Sequence, residues 1–209
     1  MTRYAACLID VYDTVVSVDF SRFVTSLAER AGVSADDLAI GVSSWEVPVS
    51  VGRVTIAEAL DDVLRTLGSP ADATLIDDLV AADLELLHEL AVLHDDTIPF
   101  LQSLRASGVR TAFVSNCADN TRPLLDHLGL AALVDELVLS CEVQAAKPDP
   151  VIFHEALRRL DVAPEQALFV DDQQRYCDAA TALGIAAVRI DRFDGTGAAA
   201  SLAELTPYF

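Results

Sequence analysis

Short apolar segments alternate with helical patterns along most of this 209-residue chain. Between the segments lie stretches with helical spacing, such as the one from Thr97 to Gly108. Strand and helix alternating at this spacing predict a parallel sheet with right-handed crossovers. We therefore predict an α/β fold with a Rossmann-like three-layer core around a parallel central sheet. The predicted strands are YAACLID, VRTAFVSN, DELVLS, QALFVDD and AAVRID.

The alternation is interrupted between Ser17 and Leu93. Three or four helical patterns follow one another there, with no convincing strand between them. This interruption predicts a helical module inserted after the first strand. We expect a core domain formed by residues 1–16 and 94–209, and an inserted helical domain formed by residues 17–93.

The chain is strongly acidic: 33 acidic residues against 14 basic ones give a formal net charge of −19. Nucleic acids are bound through basic surfaces, so this excess argues against nucleic acid as a partner. We expect an acidic surface that favours solubility. An anionic substrate would need a metal ion or local cations to approach such a protein.

Two further features bear on the compartment. No apolar run approaches the roughly 18 residues of a membrane span, and the first residues, MTRYAACLID, reach a charge too soon for a secretory signal. The four cysteines are widely spaced, which favours reduced and mostly buried thiols. We expect a cytoplasmic protein with no membrane association.

Polar side chains mark four strand ends. In open parallel α/β sheets, ligands bind at the carboxyl ends of the strands, so these groups should lie close together. Each group alone is typical of a turn, a helix cap or a solvated lysine. Together, on four strand ends, they indicate a site. The groups are Asp10 with Tyr12, Asp13 and Thr14; Ser115 with Asn116; Lys147; and Asp171 with Asp172.

These residue types together suit phosphoryl transfer. The Asp10 carboxylate can attack phosphorus and form an acyl-phosphate intermediate. Mg²⁺ prefers oxygen ligands, and Asp171 and Asp172 would bring further carboxylates to it. The metal would offset repulsion between Asp10 and an anionic substrate. Lys147 would supply a fixed positive charge, and the Ser115 hydroxyl would donate to the transferring group.

Four segments of the sequence, IDVYDT, FVSN, KPDPVIF and LFVDDQQRYCDAATALGI, resemble the motifs of the haloacid dehalogenase superfamily. The resemblance covers essentially the whole chain. It is to the branch whose helical cap is inserted after the first motif, which implies that residues 17–93 form this cap. The resemblance implies a hydrolase that acts on a small molecule, with Mg²⁺ as the cofactor in the phosphatases of the superfamily.

The same resemblance implies roles for individual residues. Asp10 resembles the nucleophile, and Thr14 resembles the threonine that fixes the motif I loop. Ser115, with Asn116 beside it, resembles the motif II hydroxyl that holds the phosphoryl group. Lys147 resembles the lysine of motif III.

The implied magnesium ligands come from both ends of the chain. They are Asp10, the backbone carbonyl of Tyr12, and the acidic pair of motif IV, Asp171 and Asp172. Within this pair, Asp172 is the implied direct ligand, and Asp171 binds directly or through water.

Motif I departs from the phosphatase pattern. The phosphatases usually read D-x-D, where the second aspartate protonates the leaving group and later activates water. Tyr12 stands at that position, and Asp13 follows where the superfamily usually has glycine. Adjacent side chains of an extended segment point to opposite sides, so Asp13 cannot replace the missing acid without a change in the loop.

Three functions therefore stay open. The acidic pair of motif IV favours a Mg²⁺-dependent phosphatase acting on a small phosphorylated metabolite, with the acid–base role weakened or moved to Asp13 or water. The D-x-Y motif resembles the 2-haloacid dehalogenases, which need no magnesium. Those enzymes lack the acidic pair, and none of Arg22, Arg30 and Arg53 is a convincing halide-binding arginine. The third function is that of a catalytically impaired binding or scaffold protein.

Other residues have more than one interpretation. Tyr176 also replaces a polar position of the superfamily, and either packs with Tyr12 above the metal or simply fills space. Asp95 and Asp96 are expected to cap the following helix, with a hinge element as the alternative. Trp45 is expected to anchor the core of the inserted helices, with a position facing the substrate as the alternative.

Overall fold

The computed structural model describes residues 4–69, 71–193 and 196–209, and these form strands, α-helices and three 3₁₀ turns. The strands are β1 (Ala6–Ile9), β2 (Val16–Val18), β3 (Ala91–Leu93), β4 (Arg110–Ser115), β5 (Glu136–Leu139), β6 (Ala167–Asp171) and β7 (Ala186–Arg189). The helices are α1 (Phe20–Ala31), α2 (Ala35–Ser43), α3 (Glu46–Ser50), α4 (Ile56–Thr66), α5 (Ala73–Leu90), α6 (Thr97–Ala106), α7 (Thr121–His127), α8 (Ser140–Val143), α9 (Pro150–Leu160) and α10 (Gln174–Ala182).

Five parallel strands form the central sheet in the order β5-β4-β1-β6-β7. The chain builds the sheet outward from β1, first to one side and then to the other, so the strand order reverses at β1. Ile9 is aligned with Phe113 on one neighbour and with Val170 on the other. Asp10 therefore leaves the sheet at its centre, where a ligand crevice is expected in this kind of fold.

Alternate residues of the strands are buried on opposite faces of the sheet. Cys7 and Ile9 of β1 pack on one face with α6, whose Phe100 and Leu104 are buried there. Leu8 packs on the other face, within the cluster formed by α9 and α10. Two helical layers thus enclose the sheet, and the predicted α/β class with a parallel, Rossmann-like core is confirmed.

Local signals at the helix ends are partly confirmed. Asp149 accepts a hydrogen bond from the Val151 amide, and Pro150 occupies the first position of α9. The expected side-chain cap of Asp96 is wrong. Its carboxylate makes no bond within α6, because it instead accepts hydrogen bonds from Arg192 and from the Leu202 amide.

Helices α1 to α5 lie between β2 and β3 and supply most of one hydrophobic cluster, to which α7 adds Leu124. Phe23, Leu38, Leu64 and Leu79 are among its buried members. The interruption of the strand–helix alternation therefore does correspond to a run of helices. The short antiparallel pair β2–β3, with Val16 aligned to Leu93, was missed in the sequence because each strand has only three residues.

Two other expectations can be compared with the structure. No helix among the described residues is long and apolar enough to cross a membrane. All four cysteines are described and free, and three of them are buried. The exception, Cys141, is partly exposed, and its Sγ lies 4.0 Å from that of Cys117.

Candidate active site

Three carboxylates meet at the carboxyl end of the sheet. Asp10 follows the central strand, Asp171 ends the neighbouring strand β6, and Asp172 comes next. Each offers an oxygen that lies within 4.8 Å of those of the other two. Asp10 and Asp171 are almost completely buried. The register of β1 and β6 creates this cluster, because it brings the two strand ends to the same level.

Lys147 binds two of these carboxylates. Its Nζ lies 2.6 Å from Asp10 Oδ1 and 2.6 Å from Asp171 Oδ2, and its side chain is buried. A double clamp from Asn116 holds its backbone. The Asn116 Oδ1 accepts from the Lys147 amide at 2.6 Å, and Nδ2 donates to the Lys147 carbonyl at 2.8 Å. The side-chain amide of motif II therefore positions the lysine.

Charge at the cluster is unbalanced, since one buried ammonium faces three carboxylates. Burial raises the pKa of Asp10 to about 7, with a further increase from Asp171, although Lys147 opposes it. Burial also raises the pKa of Asp172 to about 6, assisted by the charges of Asp10 and Asp13. Burial opposes the charge on Lys147, but Asp10 and Asp171 outweigh it and hold the lysine pKa above its ordinary value. The arrangement favours uptake of another cation.

The donor set fits Mg²⁺, which prefers several oxygen ligands, including carboxylates. The two oxygens of Asp171 already accept hydrogen bonds, Oδ2 from Lys147 and Oδ1 from the Gln173 amide at 2.8 Å. Among the described side chains, none donates to the Asp172 carboxylate, and Asp172 lines the open side of the cluster. These contacts agree with Asp172 as the direct ligand. The binding roles of these residues and of the Tyr12 carbonyl stay predictions.

Tyr12 and Tyr176 have different contact partners. Its hydroxyl lies 2.9 Å from Thr121 Oγ1, and its ring contacts Phe20 with centroids 6.0 Å apart. Tyr176 accepts instead from Asn116 Nδ2 at 3.2 Å, and its ring lies 5.0 Å from Lys147 Nζ. Shared packing of the two tyrosines is therefore not observed within the described residues. Burial raises the Tyr12 pKa well above its ordinary value, so the phenol stays neutral.

The backbone turns sharply at Asp13, which has a φ of +55°. This left-handed conformation is one that glycine adopts readily and that Asp tolerates better than most residues. The Asp13 amide donates to the Val16 carbonyl at 2.7 Å, which holds the turn. Its charge helps to raise the pKa of Asp172, so the displaced acid lies within electrostatic reach of the cluster.

Thr14 is completely buried, and its loop is held from the far end of the chain. Its carbonyl accepts hydrogen bonds from Arg192 Nε and Nη2 at 3.1 and 2.7 Å, and Arg192 also pairs with Asp96 at 2.8 Å. The Thr14 Oγ1 has no hydrogen-bond partner among the described residues. Sequence reasoning missed Arg192, because 178 positions separate it from the carbonyl that it binds.

Ser115 ends β4 as predicted and is completely buried. Within the described part of the chain, its hydroxyl has one hydrogen bond, donated to the Asn116 carbonyl at 3.5 Å, the outer limit for such a bond. The hydroxyl therefore has little to hold it within the protein. Its predicted role of donating to a phosphoryl group stays a prediction.

A cavity of about 680 Å³ separates the carboxylate cluster from the inserted helices. Asp10, Lys147 and Asp172 line it on the side of the sheet. Most of the lining from the inserted helices is apolar, with Asp83 as a buried exception. Trp45 packs against the core of these helices, as expected, and also lines the cavity; its facing a substrate stays a prediction. The apolar side chains are Phe20, Phe23, Val24, Leu27, Leu38, Ala39, Val42, Trp45, Val49, Ile56, Ala59, Leu60 and Leu87.

Sequence reasoning also missed a polar connection across this cavity. Asp83 of α5 accepts a hydrogen bond of 2.7 Å from Asn120 Nδ2, and Asn120 precedes α7. The Asn120 Oδ1 lies 3.5 Å from Thr121 Oγ1, which in turn contacts the Tyr12 hydroxyl. Only the helical period of α5 offered a signal, because it places Asp83 on the same face as Leu79, Leu86 and Leu87.

The sheet topology, the motif residues at the strand ends and the inserted helices define a hydrolase of one family. Residues 4–184 match the family model of haloacid dehalogenase-like hydrolases, and the chain belongs to this family. It is similar to (S)-2-haloacid dehalogenase 1 of Pseudomonas sp. (strain CBS-3), with 29% identity over 93% of this chain and 87% of that enzyme.

Relatives with a different activity match as well. Glyceraldehyde 3-phosphate phosphatase of Methanopyrus kandleri is 34% identical over 63% of this chain and 58% of that protein. The structure of a family enzyme from Bacteroides thetaiotaomicron, in complex with magnesium and inorganic phosphate, covers 92% of this chain and 98% of its own, with a TM-score of 0.70. At 21% identity, this last likeness shows the shared fold.

Proposed function

We propose that this chain is a magnesium-dependent phosphatase that hydrolyses a small phosphorylated metabolite through an aspartyl-phosphate on Asp10. The observation that carries the proposal is the cluster of Asp10, Asp171 and Asp172, with oxygens within 4.8 Å and Lys147 as the one ammonium between them. Without another cation, this crowding would repel an anionic substrate.

Mg²⁺ would be held by Asp10 and Asp172, with Asp171 and the Tyr12 carbonyl as the other proposed ligands. When bound, it would neutralise part of the charge of the phosphoryl group and of the carboxylates. The chain's own residues prepare the nucleophile. Lys147 donates to Asp10 Oδ1 and so favours the ionised carboxylate in a fixed orientation.

In the proposed reaction, an Asp10 oxygen attacks phosphorus, and the bond between phosphorus and the leaving oxygen breaks. The leaving oxygen takes a proton from Asp13 or from water. A water molecule then attacks the phosphorus of the aspartyl-phosphate, which releases inorganic phosphate and restores the Asp10 carboxylate. Ser115 would hold a phosphoryl oxygen, with Asn116 beside it fixing the Lys147 backbone. The neutral Tyr12 phenol occupies the position of the usual second acid without taking over its role.

We also propose that the inserted segment, residues 17–93, is a cap domain that selects the substrate. Its helices supply most of the apolar wall of the cavity, whereas the carboxylates of the core lie on the side of the sheet. This division of the cavity supports one part for chemistry and another for recognition.

Phosphate release from a panel of small phosphorylated metabolites, with Mg²⁺ or with EDTA, tests the reaction. We expect release that requires Mg²⁺ and is lost in Asp10→Asn. Asp126→Asn, an equivalent change at an exposed position of the core, should retain activity. Activity that survives in Asp10→Asn would exclude this residue as the nucleophile.

A second candidate function is supported by Tyr12, which gives motif I the D-x-Y pattern, and by the dehalogenase relative that matches over most of both chains. In that reaction, Asp10 attacks carbon and a halide leaves without needing a proton. Against it, Arg22 and Arg30 form exposed ion pairs with Glu89 and Glu85. Halide release from several 2-haloacids in EDTA would establish this function in place of the phosphatase.

The third candidate function, that of a catalytically impaired binding protein, predicts ligand binding without turnover. Tyr12→Asp restores the D-x-D pattern and distinguishes an impaired binding protein from an active phosphatase. If the unmodified protein is inactive and Tyr12→Asp releases phosphate, the natural tyrosine accounts for the impairment.

A further inference from the structure

Asp83 is a buried ionisable group that the proposed reaction does not use. It lies on α5 among apolar residues, 5% exposed, and it lines the same cavity as Asp10. A buried carboxylate is costly unless it is paired with a charge or hydrogen bonds. The described structure gives it one hydrogen bond, from Asn120 Nδ2 to Oδ2. A carboxylate can accept about four such bonds, so acceptor capacity remains.

The charges around the cavity identify what Asp83 lacks. Among the described residues that line it, the cations are Lys147 and Arg175. Lys147 forms ion pairs with Asp10 and Asp171, and Arg175 donates hydrogen bonds to Gln173 and Tyr176. Neither is bonded to Asp83, so the cavity offers this carboxylate no cationic partner.

The cavity that Asp83 lines suits an organic cation. Phe20, Phe23 and Trp45 line the same cavity, and the faces of aromatic rings attract ammonium groups. Burial raises the pKa of Asp83 to about 6, with a further increase from Asp119 and opposition from the Asn120 hydrogen bond. At neutral pH the group is therefore mostly ionised, and a bound cation would relieve the cost of its burial.

We propose that Asp83 binds an ammonium group of the substrate, and that the cavity takes a small molecule with an apolar body and an amine. That the same molecule also carries a phosphate rests on the proposed function. With both groups, the substrate class would be amine-bearing phosphate monoesters. The ammonium site itself does not depend on that reaction. Such a zwitterion also approaches a chain of net charge −19 with less repulsion than a simple phosphate does.

The chain carries its own reporter for this site. Trp45 is the single tryptophan of the sequence, and it lines the cavity. Its fluorescence can follow titration of the unmodified protein in EDTA with 2-phenylethylammonium and with 2-phenylethanol, which has nearly the same shape and no charge. We expect the ammonium compound to bind about tenfold tighter or more, because hydrogen bonds between charged groups are the stronger ones.

Asp83→Asn keeps an acceptor for Asn120 and removes the charge. We expect it to abolish the preference for the ammonium compound. Asp77→Asn, the same change at an exposed position of α5, should keep the preference. Equal affinity of the unmodified protein for the two probes would overturn the proposal, and so would an ammonium preference that persists in Asp83→Asn. The first comparison needs no variant, so the proposal stays testable even if Asp83→Asn fails to fold.

The reaction is tested separately, by hydrolysis of an aminoalkyl phosphate and of the alkyl phosphate of equal length. If the protein prefers the ammonium probe but releases phosphate from neither ester, the result would support the Asp83 site and contradict the proposed phosphatase activity. If it releases phosphate but shows no preference for the ammonium probe, the result would support the phosphatase activity and contradict ammonium binding by Asp83. If both hold, the ratio of kcat/KM for the two esters should fall about tenfold in Asp83→Asn and stay constant in Asp77→Asn.

Discussion

Asp83 should lower the stability of this protein at neutral pH, in a way that a single isosteric change reveals. Burial among the inserted helices raises its pKa from an ordinary value of 3.8 to about 6. The folded chain therefore holds this proton more tightly than the unfolded chain does. The contribution of the group to stability is complete below pH 3.8 and is lost as the pH rises through about 6.

The size of the effect follows from these two values. Each factor of ten in an equilibrium constant corresponds to about 1.4 kcal/mol, so the loss approaches about 3 kcal/mol at pH 8. At pH 5 only about half of it has developed. Asp83→Asn removes the titration and keeps an acceptor for Asn120. We expect its gain in unfolding free energy to be about 1.5 kcal/mol larger at pH 8 than at pH 5.

Urea denaturation at pH 5, 6, 7 and 8 measures this difference directly, with Asp77→Asn as the exposed control on the same helix. The control should stay within about 0.5 kcal/mol of the unmodified protein at every pH. A gain in Asp83→Asn that is the same at pH 5 and pH 8 would refute the reasoning, because it would show that the buried carboxyl does not titrate as its surroundings require.

The remaining predictions concern the metal, the inserted helices and the motif I loop. Mg²⁺ at about 100 times its dissociation constant should raise the unfolding free energy by about 2.7 kcal/mol, and Asp172→Asn should lose this gain in a thermal shift assay. Leu64→Ala should lower the unfolding free energy measured in urea by about 2–5 kcal/mol, because Leu64 is completely buried. Leu67→Ala, at a more exposed position, should lower it clearly less. Arg192→Ala should cost more than about 1 kcal/mol, since it leaves Asp96 without its cation and the Thr14 carbonyl without its donors; unchanged denaturation would contradict the role of Arg192 in holding the loop.

The two leading reactions place different demands on the same carboxylate cluster. Displacement of a halide needs one ionised aspartate and gains nothing from the acidic pair of motif IV. Phosphoryl transfer would add an anionic group to the site, so it would need an extra cation, which Asp171 and Asp172 are proposed to bind. The electrostatics of the cluster therefore favour the phosphatase, while Tyr12 is the feature that favours the dehalogenase.

Several parts of the protein could be predicted from the sequence. The alternation of apolar and helical segments determines the parallel sheet, because strand length and right-handed crossovers leave few alternatives. Asp10, Ser115 and Asp171 could be placed at one site for the same reason, since the carboxyl ends of parallel strands meet at one edge. The run of helices after β1 was visible in the periodicity of their apolar residues.

Only the tertiary structure decided the contacts that join distant segments. Three such contacts depend on where helices and loops pack. They join Asn116 to Lys147, Arg192 to the Thr14 loop, and Asn120 to Asp83. Local sequence carries no record of such partners, because a hydrogen bond forms between groups that folding brings within about 3 Å, whatever their separation along the chain. The sequence by itself thus determined the fold and the residue types at the strand ends. The packing of the inserted helices decided that a buried acid, Asp83, lines the cavity between them and the carboxylate cluster.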